Sequence, residues 1–236
     1  MAAPFVLPIL HVAVETPRTR VVRLALGGRS FPFLAGQAVD LGRPGQPDRK
    51  PYSVACSPGQ ARDRDWLEFL IQVREGGSPG PHLQALDTGT LVEVGRPQGG
   101  FVLPDDRPGR DLLFLAGGTG IAPIRSMLWH ALETAPGVRP GLLYSARAHR
   151  EFAFAREFRA LAEAGRIRLR ETITRSGGSG WTGYRGRIAR AHLESLVEAE
   201  NLLCLVCGPP SFAADIGALL IELGVRPDRI LTETWG

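Results

Sequence analysis

The hydrophobic period of this chain changes once, and that change limits the folds open to it. Up to about residue 104, apolar residues come in short β-rich runs: Ile9–Val14, Val21–Leu26, Ala38–Leu41, Tyr52–Cys56, Trp66–Val73 and Leu91–Val94. Each is bounded by Gly, Pro or Asp clusters, as strands cut by turns are. Runs this short predict a small antiparallel barrel, with Pro81–Leu86 as one short helix before the turn Asp87–Thr90. Pro104–Arg110 (PDDRPGR) is polar and rich in Pro and Gly, and reads as a linker. Beyond it, strands Leu112–Ala116, Gly141–Ser145, Arg166–Thr174, Leu202–Cys207 and Arg229–Glu233 alternate with helices Ile121–Leu132, Phe152–Ala164, Ile188–Val197 and Ser211–Leu223. That alternation predicts a doubly wound parallel sheet. The expected fold class is therefore an all-β antiparallel barrel followed by an α/β doubly wound parallel sheet, in two domains, residues 1–104 and 105–236.

Composition excludes several other classes. With 236 residues and 44% hydrophobic content, the chain can bury a core in each half. Net charge is +4, and of 28 basic residues only Lys50 is lysine. That arginine bias, with 29 Gly and 19 Pro, reads as codon usage rather than as a sign of a partner. There is no Lys/Arg run, so no nucleic-acid footprint is expected. No apolar stretch approaches the ~20 residues of a membrane span, and Met1–Leu10 lacks the charged start and long apolar run of an export signal. The expectation is a cytoplasmic protein with no membrane span. Cys204 and Cys207 are nominally C-x-x-C, but they lie in an apolar strand where residues three apart point to opposite faces. Divergent sulfurs are expected there, not a redox dithiol or a metal pair. With Cys56 as the third cysteine and the five histidines scattered, no metal site and no iron–sulfur cluster is expected.

Open parallel sheets bind ligands beyond the carboxyl ends of their strands. Gly117–Pro123 (GGTGIAP), Tyr144–Arg147, Thr174-Arg175, Cys207-Gly208 and Glu233–Trp235 all fall at such ends. Gly117–Pro123 leaves a buried strand and opens a helix, where backbone amides and the helix dipole can hold a diphosphate. Its pattern is not G-x-G-x-x-G, and a tight strand-to-helix turn is the plain alternative. Lys50-Pro51-Tyr52-Ser53, taken alone, reads as a strand with a buried tyrosine. Phe152, Phe154 and Phe158 read as helix core, and Trp66 and Trp129 as packing residues. His82 and His130 have no partner at a useful spacing.

Together and in this order, Lys50-Pro51-Tyr52-Ser53, Gly117–Pro123, Cys207–Pro210 and the terminal Glu233-x-Trp235 resemble the ferredoxin–NADP reductase superfamily. The resemblance spans nearly the whole chain. It implies a flavin segment Arg-x-Tyr-Ser/Thr, with Lys50 at the arginine position, Arg49 just before it, and Pro51 at the variable one. Tyr52 would pack beside the flavin ring and Ser53 would hydrogen-bond near its redox-active nitrogen. A second implied contact is a Gly-x-x-Ser/Thr-x-x-Leu turn, matched by Gly77, Gly80 and Leu83, with Gly80 in place of the hydroxyl residue. Val73 and Arg74 would run beside the flavin's diphosphate or ribityl chain.

For the dinucleotide, the resemblance implies a diphosphate cradle at Gly117, Gly118, Thr119, Gly120 and Pro123. It sets Ser145 and Arg147 along the dinucleotide, and Thr174-Arg175 on the adenosine 2′-phosphate, with Arg185 and Arg187 adding charge. Cys207, Gly208 and Pro209 would lie under the nicotinamide, Glu233 beside it, and Trp235 over the flavin, with Gly236 following where family members often end. The implied cofactors are FAD and NADPH (or NADH). The implied reaction moves hydride between NAD(P)H and FAD, with Ser53, Cys207, Glu233 and Trp235 at the reacting rings. Electrons then pass singly to a separate carrier protein such as ferredoxin or flavodoxin. The alternatives are an electron-transfer subunit of a larger oxygenase or quinone-linked complex, and a non-catalytic scaffold of the same fold.

Overall fold

The computed structural model describes residues 5–74, 76–104, 111–135, 137–175, 180–197 and 201–235. The chain divides into two compact units. The first holds the residues up to Leu103 together with Arg125–His130, and the second holds Pro104–Ile124 and the residues from Ala131 onward. Residues 105–110 of the expected linker, and Gly236, lie outside the described residues.

The first unit is a six-stranded antiparallel sheet. Its strands β1 (Phe5–Thr16), β2 (Thr19–Ala25), β3 (Ala38–Gly42), β4 (Arg49–Ser53), β5 (Trp66–Gln72) and β6 (Leu91–Val94) run in the order β4-β3-β6-β1-β2-β5. A bridge between Val54 and Phe69 joins the two edges, and the Ala55 amide donates to the Glu68 carbonyl at 2.7 Å. The sheet thereby closes as a barrel, which removes its open edges. Leu7, Ile9, Leu24, Leu41, Leu67, Phe69 and Ile71 fill it and are essentially without solvent contact. Burial of each such side chain contributes ~1.5–3 kcal/mol.

β5 shows how a charge is accommodated in this unit. Leu67, Phe69 and Ile71 enter the core, while Glu68 alternates to the other face and is nevertheless 1% exposed. Its carboxylate is ion-paired with Arg23 at 2.6 Å and with Arg125 at 2.8 Å. Arg125 also donates to the Ala55 carbonyl at 2.7 Å, and the Ser126 hydroxyl to the Cys56 carbonyl at 2.7 Å. A buried carboxylate persists only when paired in this way.

Three local expectations are corrected here. β4 runs over Arg49–Ser53 instead of beginning at Tyr52, because Gly42 and Leu41 of β3 pair with Arg49 and Lys50. Residues 81–86 form one turn and no helix: the Leu83 and Gln84 amides both donate to the Gly80 carbonyl, and Gln84 then takes φ 66, which ends the turn. Helix α1 (Pro58–Arg64) is unexpected. The Ser57 hydroxyl accepts from the Gln60 amide at 2.9 Å, and the Gln60 side chain accepts from the Ser57 amide at 3.3 Å. With a proline in its first turn, this is a complete capping box.

The second unit is a six-stranded parallel sheet with strands β7 (Leu112–Gly117), β8 (Gly141–Ala146), β9 (Arg168–Ile173), β10 (Tyr184–Arg185), β11 (Leu203–Gly208) and β12 (Ile230–Thr234). Their order is β10-β9-β8-β7-β11-β12. The chain builds outward from β7 through β10, then returns to place β11 on the other side of β7. The order reverses between β7 and β11, the crevice where sheets of this kind bind ligands.

Helices α2 (Ile121–Thr134) and α5 (Pro210–Glu222) follow β7 and β11, and α3 (Ala155–Glu163) follows β8. α3 starts at Ala155 because Phe154 is held at φ 58. The expected helix 188–197 breaks into the short α4 (Arg190–Leu193) and a 3-10 turn over Glu194–Leu196. Leu113, Leu115, Leu143, Cys204 and Val206 pack with Leu193, Ala213, Ile216 and Leu220 on one face. Tyr144 is edge-on to Phe152 and Phe158, with centroids 5.0 and 6.5 Å apart.

Candidate functional site

In the second unit, the residues singled out by sequence converge on one edge of the sheet. Following the strand order, Thr174 and Arg175 come after β9, Ser145 and Arg147 at the end of β8, Gly117 at the end of β7, Cys207 and Gly208 at the end of β11, and Glu233 and Trp235 at the end of β12. Register enforces the alignment. Gly117 pairs with Ser145, Cys207 with both Ala116 and Glu233, and Gly208 with Thr234. The ladder extends past the strands, with the Arg175 amide on the Arg147 carbonyl at 3.0 Å and the Thr174 amide on the Ala146 carbonyl at 2.9 Å.

The turn Gly117–Gly120 sits where the strand order reverses. Gly118 has φ +56 with open space where a Cβ would point, a backbone state that favours glycine. At Gly120 a Cβ would run into the Cys207 carbonyl and lie 2.8 Å from the Gly208 nitrogen. The turn can therefore close onto β11 only as glycine. A buried tyrosine fixes it from behind: the Tyr144 hydroxyl donates to the Gly118 carbonyl at 3.1 Å and accepts from the Ala153 amide at 3.1 Å. α2 and α5 both begin at this crevice, so two helix N-termini bring amides and partial positive charge to it.

Cys207 is fully buried. Burial first, then the neighbouring Glu233 charge, push its thiol far above the ordinary range, opposed by a hydrogen bond from Trp235. It stays a protonated thiol and is no nucleophile. Cys204, three residues earlier, lies in the apolar cluster, and all three cysteines are free. Glu233 accepts from the Trp235 indole N–H at 2.9 Å. Burial raises its carboxyl above the usual range, with that same bond opposing the rise. The Trp235 amide is anchored on the Gly208 carbonyl at 3.2 Å.

The arginines divide into two groups. Among the described residues, Arg147 and Arg175 are exposed and have no side-chain partner. Arg187 is ion-paired with Asp215 at 3.2 Å, and Arg185 donates to the Trp181 carbonyl at 3.3 Å. Arg185 is thus engaged within its own loop and Arg187 with helix α5. Phe152, Phe154 and Phe158 are buried, and Phe152 also stacks on Trp181 at 5.4 Å.

In the first unit, Tyr52 meets the turn Gly77–Leu83 through His82, and Val73 and Arg74 lead into that turn from β5. The Arg74 amide donates to the Ser78 carbonyl at 2.9 Å and the Gly77 amide to the Arg74 carbonyl at 2.9 Å, closing the turn. Val73 and Leu83 are buried, Leu83 within the barrel core. Ser53 is buried at the end of β4, opposite Ala38. Arg49 is taken up by Glu93, whose carboxylate also accepts from the Gly45 amide at 2.9 Å. Lys50 is exposed, with no partner among the described residues.

Tyr52 has a partner that sequence reasoning missed. Its hydroxyl lies 2.9 Å from His82 Nε2, and the two rings stack at 5.7 Å with a 17° tilt. The signal was present, since His82 directly precedes Leu83 in the glycine turn. Tyr144 was also missed as a holder of the Gly118 turn, its signal being a hydroxyl within the fully buried strand β8. Arg125 was passed over too, although it stands among apolar residues in α2. Among the described residues no group of His, Cys, Asp and Glu could hold a metal ion, and no helix is long and apolar enough to cross a membrane.

Comparison with known proteins agrees with this layout. Residues 114–217 match the family model of the oxidoreductase NAD-binding domain. The ferredoxin–NADP reductase B of Sorangium cellulosum is 32% identical over 200 residues, covering 83% of this chain and 79% of that protein. The reductase component of phenol 2-monooxygenase from a Pseudomonas species is 30% identical over 188 residues, 77% of this chain and 52% of that protein. In fold, the chain superposes on the crystal structure of a ferredoxin NADP+ reductase from Neisseria gonorrhoeae with a TM-score of 0.79, at 24% identity and 99% coverage of both chains. With a barrel, a parallel sheet and a relative this similar over most of both lengths, the chain belongs to the ferredoxin–NADP reductase superfamily of oxidoreductases.

Proposed function

We propose that the chain transfers hydride between NADPH and FAD, and electrons one at a time between FAD and a separate carrier protein such as ferredoxin or flavodoxin. Residues 1–104 hold the flavin and residues 105–236 the dinucleotide. The observation that carries the reading is the alignment of Gly117–Gly120, Ser145, Arg147, Thr174, Arg175, Cys207–Pro209, Glu233 and Trp235 along one sheet edge, at its point of reversal. Homologues in this family bind FAD and NAD(P)H.

The residues present fit both groups. In the first unit, the unpaired Lys50 ammonium, the half-buried Tyr52 ring and a buried imidazole nitrogen of His82 without a partner offer charge, a flat surface and a polar atom. At the sheet edge, the open face of Gly118 and the unpaired Arg147 and Arg175 suit a phosphorylated dinucleotide. Bound FAD supplies the exchange between two-electron and one-electron chemistry, and the protein supplies binding, orientation and electrostatics. Ser53 and Tyr52 would orient the flavin. Cys207, as a neutral thiol, would give the nicotinamide an uncharged surface. Glu233, with its proton affinity raised, would hydrogen-bond near it, and Trp235, held by Glu233 and the Gly208 carbonyl, would lie beside its ring. Arg175 and Thr174 select the 2′-phosphate, with Arg147 alongside.

Anaerobic reduction of the flavin by NADPH and by NADH, followed by titration with ferredoxins and flavodoxins, tests the reading. Protein that neither binds FAD nor oxidises NAD(P)H refutes it and leaves the scaffold alternative. Arg175→Ala is expected to raise KM for NADPH about tenfold or more, the loss of a charge-assisted phosphate contact, and to leave KM for NADH unchanged. Equal effects on the two coenzymes reject the 2′-phosphate assignment. The similarity to the phenol 2-monooxygenase reductase component favours a second reading, service to an oxygenase complex, which is the better one if ferredoxin and flavodoxin both fail as acceptors.

A further inference from the structure

His82 is 1% exposed, and its two ring nitrogens meet different surroundings. Nε2 is 2.9 Å from the Tyr52 hydroxyl. Nδ1 is buried and has no hydrogen-bond partner, an uncommon condition for a buried polar atom. Nδ1 borders the glycine turn: a Cβ at Gly80 would lie 3.5 Å from it. Gly80 is the position at which the family pattern calls for a hydroxyl residue, and this chain has none.

Burial pushes the Tyr52 phenol up to about 12, so it remains protonated and can donate to Nε2. Lys50 and Asp48 act on the ring through opposite charges. Burial and then Lys50 lower the imidazole pKa against Asp48, so the ring is neutral at pH 7. A neutral ring that accepts at Nε2 carries its proton on Nδ1. In that tautomer Nδ1–H is a donor that feels the charge of Lys50, a combination that suits an anionic oxygen. Resting on the flavin-binding reading above, we infer that His82 is a phosphate-binding residue of the flavin site, whose Nδ1–H replaces the hydroxyl missing at Gly80 and, with Lys50, binds a phosphate oxygen of the flavin nucleotide.

Two variants separate the ring nitrogens. His82→Gln keeps an amide near the Nε2 position for Tyr52 and drops the Nδ1 donor, whereas His82→Asn does the reverse. Flavin-stripped protein is titrated with FAD, FMN and riboflavin by quenching of flavin fluorescence. His82→Gln is expected to weaken FAD and FMN about 10- to 100-fold and to leave riboflavin unchanged, while His82→Asn keeps FAD within about threefold of wild type. Equal losses for riboflavin, or wild-type affinity of His82→Gln for FAD, overturn the assignment. In 15N-labelled wild-type protein, whose folding is not in question, the Nδ1 resonance is expected to be that of a protonated nitrogen and to move on addition of FAD but not of riboflavin. An unmoved resonance overturns the assignment whatever the variants do. Wild-type protein that binds none of the three flavins overturns this inference and the functional reading together, whereas wild-type binding with indifferent variants overturns this inference alone.

Discussion

Tyr144→Phe removes one oxygen and nothing else, so its consequences can be worked from the structure. The hydroxyl accepts from the Ala153 amide and donates to the Gly118 carbonyl, both at 3.1 Å. Ala153 is 2% exposed, so water cannot replace the lost acceptor, and stranding a buried amide costs ~1–3 kcal/mol. The Gly118 carbonyl keeps the Ile121 amide, and losing its second donor costs only about 0.5–1.5 kcal/mol. The ring volume is unchanged, so no cavity adds to this. A destabilisation of about 1.5–4.5 kcal/mol follows. At roughly 2–4 °C per kcal/mol for a chain of this size, the melting temperature falls about 3–18 °C.

The same change removes one of the two donors on the carbonyl of Gly118, the residue in the left-handed state of the glycine turn. NADPH binding should therefore weaken while the chemical step is unaffected, seen as a higher KM at constant kcat. Calorimetric melting with steady-state kinetics reads both effects. Tyr184→Phe is the control, because Tyr184 is 46% exposed and its hydroxyl holds no such turn. If Tyr144→Phe melts and binds NADPH as the wild type and the control do, the hydroxyl does not brace the turn and the reasoning fails.

Arg125→Met leaves Glu68 buried with Arg23 alone and is expected to cost about 3–5 kcal/mol. The double variant Arg125→Met/Glu68→Gln should recover much of that loss, and strictly additive effects in urea unfolding would show that the pair is not coupled. At Glu233 the sign is set by burial, which raises the folded-state pKa above the unfolded one. Its contribution to stability is therefore full below ~pH 4 and is lost as pH rises through the raised value. Glu233→Gln removes that dependence, so its advantage over the wild type should grow with pH across this window; melting curves that keep a constant gap from ~pH 4 to 8 would contradict the raised carboxyl.

The two halves of the fold were legible in the sequence for different reasons. The parallel sheet follows from continuous apolar strands such as Leu112–Gly117 and Leu203–Gly208, whose burial on both faces leaves no polar alternation to misread. With the strands known, the strand-end rule alone collects the residues from Gly117 to Trp235. The barrel's strands were visible as short runs, but its closure through Val54 and Phe69 was not, since it depends on pairing between residues far apart. Local conformation failed where a single residue decides it. Gln84 at φ 66 ends the turn expected to be a helix, and Phe154 at φ 58 delays α3. α1 was readable in principle from Ser57, Pro58 and Gln60, because its capping box is a local signal.

The surroundings of Tyr52 and of the turn Gly77–Leu83 were the least legible part, because their contacts are pairings across the fold. Arg49 stands next to the position where the resemblance calls for arginine and Lys50 is found, yet the buried Glu93 takes its guanidinium and ties it to the β3–β4 hairpin through Gly45. A charge committed to a buried carboxylate is costly to withdraw, so Arg49 is a poor donor to a second anion. That leaves Lys50 as the unpaired charge in this segment and the turn without its hydroxyl at Gly80. Both departures border the same imidazole: Lys50 acts on it through its charge, and Gly80 leaves room beside its Nδ1. A serine at position 80 would bring its Cβ to 3.5 Å from that nitrogen and would have to hold φ +97, a state glycine tolerates and serine does not. Gly80 and His82 therefore belong to one arrangement, in which the turn position without a hydroxyl borders Nδ1 of the ring that stacks on Tyr52.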